Sequence, residues 1–193
     1  SMVRNNVKYL INTGTSWQHY QNKKYSPTCL YAATKQAFMD ILQYYVEVTD
    51  LRVITLKLFD TYGPNDQRNK LFCQLRQAIK EKKELNMTPG EQLVDIVYID
   101  DVIEAYKIAA DRLIKENGPK NEEFVVSSGN PIPLKILVKT YFEIMDEYKN
   151  IVWGGKSYRS REVMRPYSIG DVLPGWKPNI MIKKGIRIME GLI

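Results

Sequence analysis

A tyrosine and a lysine four residues apart are the first candidates for chemistry in this sequence. Tyr31 and Lys35 stand in the segment YAATK, inside a run whose apolar residues recur at helical spacing. Because positions four apart lie on one face of a helix, the phenol and the ammonium can address one ligand. A nearby cation favours a phenolate, which lets such a tyrosine exchange protons near neutral pH. The pair therefore predicts proton transfer to or from a substrate oxygen.

A hydroxyl group at the end of a neighbouring strand could hydrogen-bond the same substrate oxygen. The segment NTGTS follows a β-rich run and supplies three such groups. Thr13 is the first candidate, with Thr15 or Ser16 behind it.

The YxxxK spacing alone is weak evidence, because about one chance match is expected in a chain with so many tyrosines and lysines. Tyr20 and Lys24 form a second copy in a polar stretch without an apolar helix around it. The structural alternative for Tyr31 and Lys35 is an interfacial tyrosine beside a surface lysine. The order of hydroxyl-bearing strand, loop and YxxxK on an amphipathic helix favours the catalytic interpretation.

Other reactive side chains do not form a second constellation. His19 is the only histidine, which excludes a mechanism or a metal site that needs two. Cys29 and Cys73 lie far apart without metal-ligand spacing, so we expect two reduced thiols in a cytoplasmic protein and no metal. Asp100 and Asp101 precede an apolar-periodic run, where helix capping and dipole stabilisation are favoured over acid/base work.

Charge and hydropathy restrict the classes of partner. The formal net charge of +6 favours anionic partners. We find no arginine-rich stripe with interleaved aromatic residues, so a nucleic-acid partner is disfavoured. No apolar run reaches the roughly 18 residues of a membrane span, and the first residues do not resemble a signal peptide. A small anionic ligand such as a nucleotide diphosphate fits this pattern.

Strands and helices that could position these groups alternate along the chain, which predicts an α/β fold with a mostly parallel sheet. The β-rich runs are 7–12, 51–59, 93–99, 124–126 and a short one near 151. The first predicted helix opens at Ser26-Pro27 and shows helical periodicity over 31–48. Further helices are predicted over 69–83, from residue 100, over 133–148 and from about residue 183.

Five segments, in order, resemble a known family. They are VKYLINTGTS, YSPTCLYAATKQAF, ITLKLFDTYGP, VDIVYIDDVIEAY and LPGWKP. Over nearly the whole chain they resemble extended short-chain dehydrogenases/reductases, the NAD-dependent epimerases and dehydratases of nucleotide-linked sugars. The combination of NTGTSW, DTYGP and PGEQ before VDIVYIDD resembles the branch that includes enzymes making deoxysugars on CDP.

The resemblance implies a Rossmann-like architecture in one compact unit, residues 1–193. A partial Rossmann core is expected mainly in 5–115. The small substrate-binding region is expected mainly in 60–100 and 120–193.

The resemblance also assigns catalytic and cofactor-binding roles. It implies that Tyr31 is the acid/base residue, that Lys35 holds the nicotinamide ribose and that Thr13 completes the triad. Phe59 and Thr61, in LFDTYGP, are expected beside the nicotinamide of NAD or NADP.

For the nucleotide-linked sugar, the expected contacts are Thr15, Asp60, Arg68, Arg159 and Arg161. Guanidinium groups suit bidentate contacts to phosphate, although exposed loop arginines are the structural alternative.

Two positions depart from the family pattern. Asp60 stands where asparagine is common, and a carboxylate there repels a diphosphate unless it is otherwise satisfied. Val94 replaces an arginine found in many members, which removes one expected diphosphate contact.

The glycine-rich turn that binds the pyrophosphate of a dinucleotide is not found in this sequence. Gly14 is the only glycine before Tyr31, and none of the eleven glycines forms GxGxxG. We therefore expect the amino-terminal dinucleotide-binding strands to be absent, NAD or NADP binding to be weak, and the chain to be inactive alone.

An uncovered first strand predicts association through its edge, either as a homo-oligomer or with a separate amino-terminal half. Two alternatives stay open: a nucleotide-sugar-binding module without redox chemistry, and a non-functional remnant. The sequence specifies neither the sugar and nucleotide, nor the choice of NAD or NADP, nor the net reaction.

Overall fold

Short strands and longer helices alternate in the computed structural model, which describes residues 1–115, 118–147 and 151–193. The strands in these ranges are β1 Tyr9–Thr15, β2 Arg52–Leu58, β3 Asp60–Tyr62, β4 Leu85–Met87, β5 Leu93–Val94, β6 Ile96–Tyr98, β7 Asn121–Val126, β8 Ile132–Pro133 and β9 Ile151–Trp153. The helices are α1 Leu30–Val48, α2 Leu71–Glu81, α3 Ile99–Ile114, α4 Leu134–Ile144 and α5 Ile182–Met189.

The central feature is a parallel sheet in the order β1-β2-β7. β2 is the middle strand, and its residues from 53 to 57 are all buried, as expected for a parallel strand covered on both faces. β1 pairs only with β2 among the described residues and so forms one edge of this sheet. The predicted α/β fold with a parallel sheet is confirmed.

Helices cover both faces of the sheet. On one face, Ala105 and Ala109 of α3 pack with Ile54 and Leu56 of β2, since their small side chains allow helix and sheet to approach closely. On the other face, Leu42 and Val46 of α1 pack against Leu51 and Val53. Successive side chains of β2 point to opposite faces of the sheet, so Ile54 and Leu56 face α3 whereas Val53 faces α1.

A second core lies around the short strand pairs β3–β6, β4–β9 and β5–β8. Fully buried Leu75, Leu137, Tyr141 and Ile186 join α2, α4 and α5 in this cluster. No helix in the described ranges is long and apolar enough to cross a bilayer.

Two predicted boundaries differ from the structure. The single strand predicted over 93–99 is divided at buried Asp95, whose carboxylate accepts hydrogen bonds from Ser127 Oγ (2.6 Å) and Ser128 N (2.8 Å). As a result β5 pairs with β8, whereas β6 pairs with β3.

The helix predicted to open at Ser26-Pro27 begins at Leu30 instead. The preceding residues hydrogen-bond to an earlier segment of the chain instead, because Ser26 N donates to Gln18 O and Thr28 N donates to Trp17 O. The predicted helix over 133–148 ends at Ile144, and its expected last residue, Tyr148, lies outside the described residues.

Asp101 connects the carboxyl-terminal segment to α3. Its side chain accepts a hydrogen bond from Ile180 N (2.9 Å), and its backbone oxygen accepts one from Trp176 Nε1 (2.8 Å). The predicted capping bond is not made, since the N-cap of α3 is Tyr98 and has no side-chain cap. Asp100 and Asp101 do lie in the first turn, where carboxylates interact favourably with the helix dipole.

Candidate active site at two joined cavities

Two joined cavities lie where β2 passes into β3. The histidine cavity, of about 310 Å³, is lined by His19, Cys29, Phe59 and Tyr167 among others. The basic cavity, of about 490 Å³, is lined by residues of α2 and of the segments around β3, β4 and β6. Both are bordered by Trp17, Asp60, Gln92, Val94, Arg159 and Glu162. In open α/β sheets, ligands bind outside the carboxyl ends of the strands, which is where these cavities lie.

The basic cavity contains more cations than carboxylates. Its cationic side chains are Arg68, Lys70, Arg76, Lys156 and Arg159, and its acidic ones are Asp60, Asp66 and Glu162.

Two of the five cations are already engaged. Arg68 makes a bidentate contact with Asp66, with both N–O distances at 2.7 Å. Arg76 contacts Glu190 at 2.8 and 3.0 Å.

The remaining cations have no hydrogen bond or ion pair through their side chains among the described residues; they are Lys70, Lys156 and Arg159. Their positive charge faces the cavity without compensation from a fixed ion pair. The cavity is therefore suited to an anionic group such as a phosphate.

Asp60 lies at the junction of the two cavities. Burial is the main cause that raises the pKa of its carboxyl, and the negative charge of Asp95 raises it further. The positive charges of Lys70 and Arg159 act in the opposite direction. Water reaches the carboxyl through both cavities, which limits the shift. Asp60 is thus a carboxyl whose neutral form is favoured relative to a free aspartate.

The histidine cavity is named for His19, which is 5% exposed. Its ring stacks on Tyr167 with centroids 4.0 Å apart, and Nδ1 lies 3.1 Å from the Lys23 carbonyl oxygen. Burial lowers the pKa of His19, and the nearby charge of Lys57 lowers it further. Both effects favour the neutral imidazole.

The predicted catalytic residues lie outside both cavities. Tyr31 is half exposed on α1, and Lys35 Nζ is 5.7 Å from the centroid of its ring, so the two share a helix face as predicted. Thr13 Oγ1 is 2.6 Å from Tyr106 OH on α3. Burial raises the pKa of Tyr106, the bond to Thr13 lowers it and Tyr31 raises it, so the two tyrosines are within electrostatic range.

Among the predicted cofactor contacts, Phe59 lines the histidine cavity and Thr61 lines the basic cavity. Thr61 Oγ1 donates to the Phe59 carbonyl oxygen at 3.3 Å.

The predicted substrate contacts divide between the two cavities, apart from Thr15. Asp60 and Arg159 border both cavities, Arg68 borders the basic cavity and Arg161 the histidine cavity. Thr15 is buried, and its hydroxyl accepts a hydrogen bond from Trp17 N at 3.3 Å.

The sequence did not indicate three residues that line a cavity or contact a predicted site residue, namely His19, Gln92 and Tyr106. Tyr106 contacts a residue 93 positions away, and no local pattern indicates that pairing. His19 follows the hydroxyl-bearing strand, which was the only available signal. Within the described ranges, no cluster of three or more His, Cys, Asp or Glu residues could hold a metal ion.

Comparison with known sequences gives a consistent set of relatives. The model of the NAD dependent epimerase/dehydratase family matches residues 2–127. CDP-abequose synthase of Salmonella typhimurium is 31% identical over 162 residues, covering 81% of this chain and 54% of the relative. CDP-abequose synthase of Yersinia pseudotuberculosis is 32% identical over 168 residues, covering 83% and 56%. The chain thus spans about half the length of these curated relatives.

Solved structures share the fold. UDP-glucose 4-epimerase of Thermotoga maritima, solved with UDP-glucose, superposes with a TM-score of 0.82 at 23% identity, covering 97% of this chain and 64% of that one. MoeE5, solved with UDP-glucuronic acid and NAD, superposes with a TM-score of 0.83 at 17% identity, covering 97% and 65%.

Replacing Asp60 with asparagine should stabilise the chain at neutral pH. The folded chain favours the protonated carboxyl of Asp60, so this group stabilises the fold fully at pH values below the ordinary pKa of aspartate. This stabilisation is lost as the pH rises through the raised pKa of the folded chain. Urea unfolding should therefore show a larger gain in the free energy of unfolding for Asp60→Asn at about pH 7.5 than at about pH 4.

Asp66→Asn is the matched control with the opposite sign. Arg68 lowers the pKa of Asp66 to about 2, so this substitution should destabilise the chain at neutral pH. A gain for Asp60→Asn that does not change with pH would contradict the assignment of a raised pKa to Asp60.

Proposed function

The chain belongs to the NAD dependent epimerase/dehydratase family, and from this membership we propose that it binds the nucleotide-sugar substrate of an epimerase, dehydratase or reductase. The observation that carries the proposal is the basic cavity, where Lys70, Lys156 and Arg159 have no fixed partner among the described residues. A nucleotide diphosphate supplies the negative charge that these side chains lack. Because the chain spans only part of its relatives, the activity of the whole protein is itself proposed.

We propose that the diphosphate lies beside Arg159 and Lys70. A guanidinium can contact phosphate through two parallel hydrogen bonds, whereas a lysine ammonium acts as a point charge. Arg68 is the weaker candidate, because its guanidinium is already held by Asp66. The positive charges of Lys70 and Arg159 lie close enough to Asp60 to offset part of its repulsion of a diphosphate.

The proposed nucleotide is CDP. The relatives include CDP-abequose synthases of Salmonella typhimurium, Salmonella muenchen and Yersinia pseudotuberculosis, and these support the CDP-deoxysugar branch. A CDP-linked sugar is therefore the proposed substrate class.

Tyr31 is the proposed residue that moves the proton of a sugar hydroxyl, with Lys35 beside it and Thr13 as the third member. The cofactor fits this region at its nicotinamide end only, because Tyr31 and Lys35 are accessible on one helix face and the sequence has no glycine-rich turn for the pyrophosphate. When bound, NAD or NADP supplies hydride transfer. Thr13 is oriented by its hydrogen bond with Tyr106.

A second candidate is a nucleotide-sugar-binding module without redox chemistry. It is favoured by the finding that Thr13, Tyr31 and Lys35 line neither cavity. Both candidates require binding that depends on Arg159, but only the enzyme requires Tyr31. A non-functional remnant requires neither.

Removing the guanidinium of Arg159 should weaken nucleotide binding. By isothermal titration calorimetry, we expect CDP to bind the native chain and Arg159→Ala to lower its affinity about tenfold, since a charge-assisted contact to phosphate is lost. Arg187→Ala removes an exposed arginine of α5 outside both cavities and should leave the affinity unchanged. Absence of CDP, UDP and nucleotide-sugar binding would contradict the proposed function and favour the remnant.

The chain alone should bind NADH and NADPH only weakly. Residues of this chain can hold the nicotinamide end, but no glycine-rich turn binds the pyrophosphate. A fluorescence titration should show no saturation below about 1 mM, which corresponds to about 4 kcal/mol of binding free energy. Saturable micromolar binding that is lost in Tyr31→Phe/Lys35→Ala would contradict this expectation and indicate a cofactor site assembled between copies.

We also propose that the chain associates with a second copy through α1. This helix carries a stripe of exposed apolar side chains, which is unusual on the surface of a monomer. Its members are Leu30, Phe38, Ile41, Tyr44, Tyr45 and Val48. The alternative is that a separate amino-terminal half of the protein covers this helix.

Two glutamates on α1 should abolish self-association. Light scattering over a concentration series should give a dimer or larger species for the native chain and a monomer for Ile41→Glu/Tyr45→Glu, because the charges cannot be buried without a partner. Ile136→Glu, on the exposed face of α4, is the matched control and should leave the assembly intact. A monomeric native chain at all concentrations would exclude the second copy and leave the separate half.

A further inference from the structure

The segment 159–171 covers one side of the histidine cavity. It lies between β9 and α5 and contains neither a helix nor a strand. Its residues between 159 and 167 line the cavity, together with residues of the 16–28 loop, among them His19. The cavity is therefore closed only while the segment and the loop stay in contact.

Three side-chain contacts join the 159–171 segment to the 16–28 loop. They are the stack of His19 on Tyr167 (4.0 Å between ring centroids), the hydrogen bond from Arg161 Nη2 to Ser26 Oγ (2.7 Å) and the hydrogen bond from Ser168 N to Asn22 Oδ1 (2.9 Å). Both hydrogen bonds are exposed, so water competes for their partners. His19 is 5% exposed, and the ring stack is thus the contact that water does not reach.

The His19 ring is closed to solvent in a form that cannot take up a proton without cost. Nδ1 lies 3.1 Å from the Lys23 carbonyl oxygen, which only accepts hydrogen bonds, so Nδ1 already carries a proton. Nε2 is buried and has no hydrogen-bond partner among the described residues. A proton on Nε2 therefore creates a buried charge and a buried N–H without an acceptor for as long as the ring stays stacked.

The neighbouring groups act on the ring in both directions. Burial is the largest cause that lowers the pKa of His19, and the ammonium of Lys57 on β2 lowers it further. The backbone at Lys23 and Lys24 raises it, as does the carboxylate of Glu123 on β7. Burial raises the pKa of Tyr167, so the stacked phenol stays neutral. The other charged side chains that line the cavity are Asp60, Asp95, Arg159, Arg161 and Glu162.

We infer that protonation of His19 releases the 159–171 segment from the 16–28 loop and opens the histidine cavity. In the open form water can contact both ring nitrogens, so the ring takes up its proton near the ordinary histidine pKa of about 6.5. The closed form takes it up only at lower pH. The closed form is thus fully favoured above about pH 6.5, and below it the ratio of closed to open chains falls by at most about tenfold per pH unit. This loss ends at the lowered pKa of the closed form.

Opening of the segment also affects the proposed binding site. The segment carries Arg159, which borders both cavities and is the proposed contact of the diphosphate. Release of the segment should therefore weaken nucleotide-sugar binding in acid. This effect on binding rests on the proposed function, whereas the release itself does not.

NMR of the native chain tests the release directly, because His19 is the only histidine. With ¹³C- and ¹⁵N-labelled histidine at about pH 7.5, the ring protons should show nuclear Overhauser effects to a tyrosine ring. Tyr167→Leu identifies that ring by removing the effects. In the native chain they should disappear as Nε2 takes up its proton, with a midpoint below about pH 6.5. A protonated ring that keeps its contact with Tyr167 would overturn the inference.

Hydrogen exchange measures opening of the segment. After correction for the intrinsic exchange rate, the protection of 159–171 should fall about 3- to 10-fold from about pH 7.5 to about pH 5.5, whereas β2 should keep its protection. His19→Phe is the matched control, because it keeps an aromatic ring against Tyr167 but cannot take up a proton. Its protection should not change over this range. The same loss in His19→Phe would assign the opening to another group, such as Asp60 with its raised pKa, and the inference would be wrong.

Lys57→Met provides a second variant if His19→Phe does not fold. It removes the cation that lowers the pKa of His19 and leaves Glu123, which raises it. Because the closed form then accepts the proton more readily, the loss of protection in acid should be smaller than in the native chain. An equal or larger loss would contradict the role of His19.

Binding of CDP-glucose separates this inference from the proposed function. Both phosphates of CDP-glucose are esterified, so its phosphate charge stays constant in this range. Below the midpoint found by NMR, its affinity should fall about 2- to 5-fold for the native chain and stay unchanged for His19→Phe, since only closed chains bind it. If the segment opens but the affinity does not fall, the role proposed for Arg159 is wrong and the release stands. If neither CDP nor CDP-glucose binds at any pH, the proposed function is wrong, and NMR and hydrogen exchange still decide the inference.

Discussion

The parallel pairing of β1 with β2 is the constraint on which the rest of the site depends. Its register places Thr15 opposite Leu58, so both strands end at the same edge of the sheet. The polar loop after β1 and the segment that begins at Phe59 are thereby brought together, and the two cavities form between them. A shift of one residue would turn every side chain of β1 to the opposite face and would separate Thr13 from Tyr106.

Polar contacts over long sequence distances then complete the cavity walls. Asp101 holds the carboxyl-terminal segment through Ile180 N, and Arg161 donates to Ser26 Oγ at 2.7 Å. His19 stacks on Tyr167 across nearly 150 positions. The wall of the histidine cavity therefore depends on the carboxyl-terminal segment being in place.

Local patterns explain how much of this could be predicted from the sequence. The helical spacing of Tyr31 and Lys35 depends only on α1, and the periodicity of 31–48 is long enough to indicate that helix. The break at Asp95 could not be predicted, because it arises from the side chain's bonds to Ser127 and Ser128, 32 and 33 positions away. The stacking of His19 on Tyr167 was hidden for the same reason, since the two residues lie far apart in the sequence.

Burial differs between the residues of the histidine cavity and the proposed catalytic pair. His19 and Gln92 are almost completely shielded from water. Tyr31 is half exposed and Lys35 lies beside it on the surface of α1, where water screens the effect of one charge on the other. Excluding water strengthens such interactions, so in the proposed reaction Tyr31 would act efficiently only when another surface covers it. In the proposed reaction, proton transfer by Tyr31 thus depends on what covers α1.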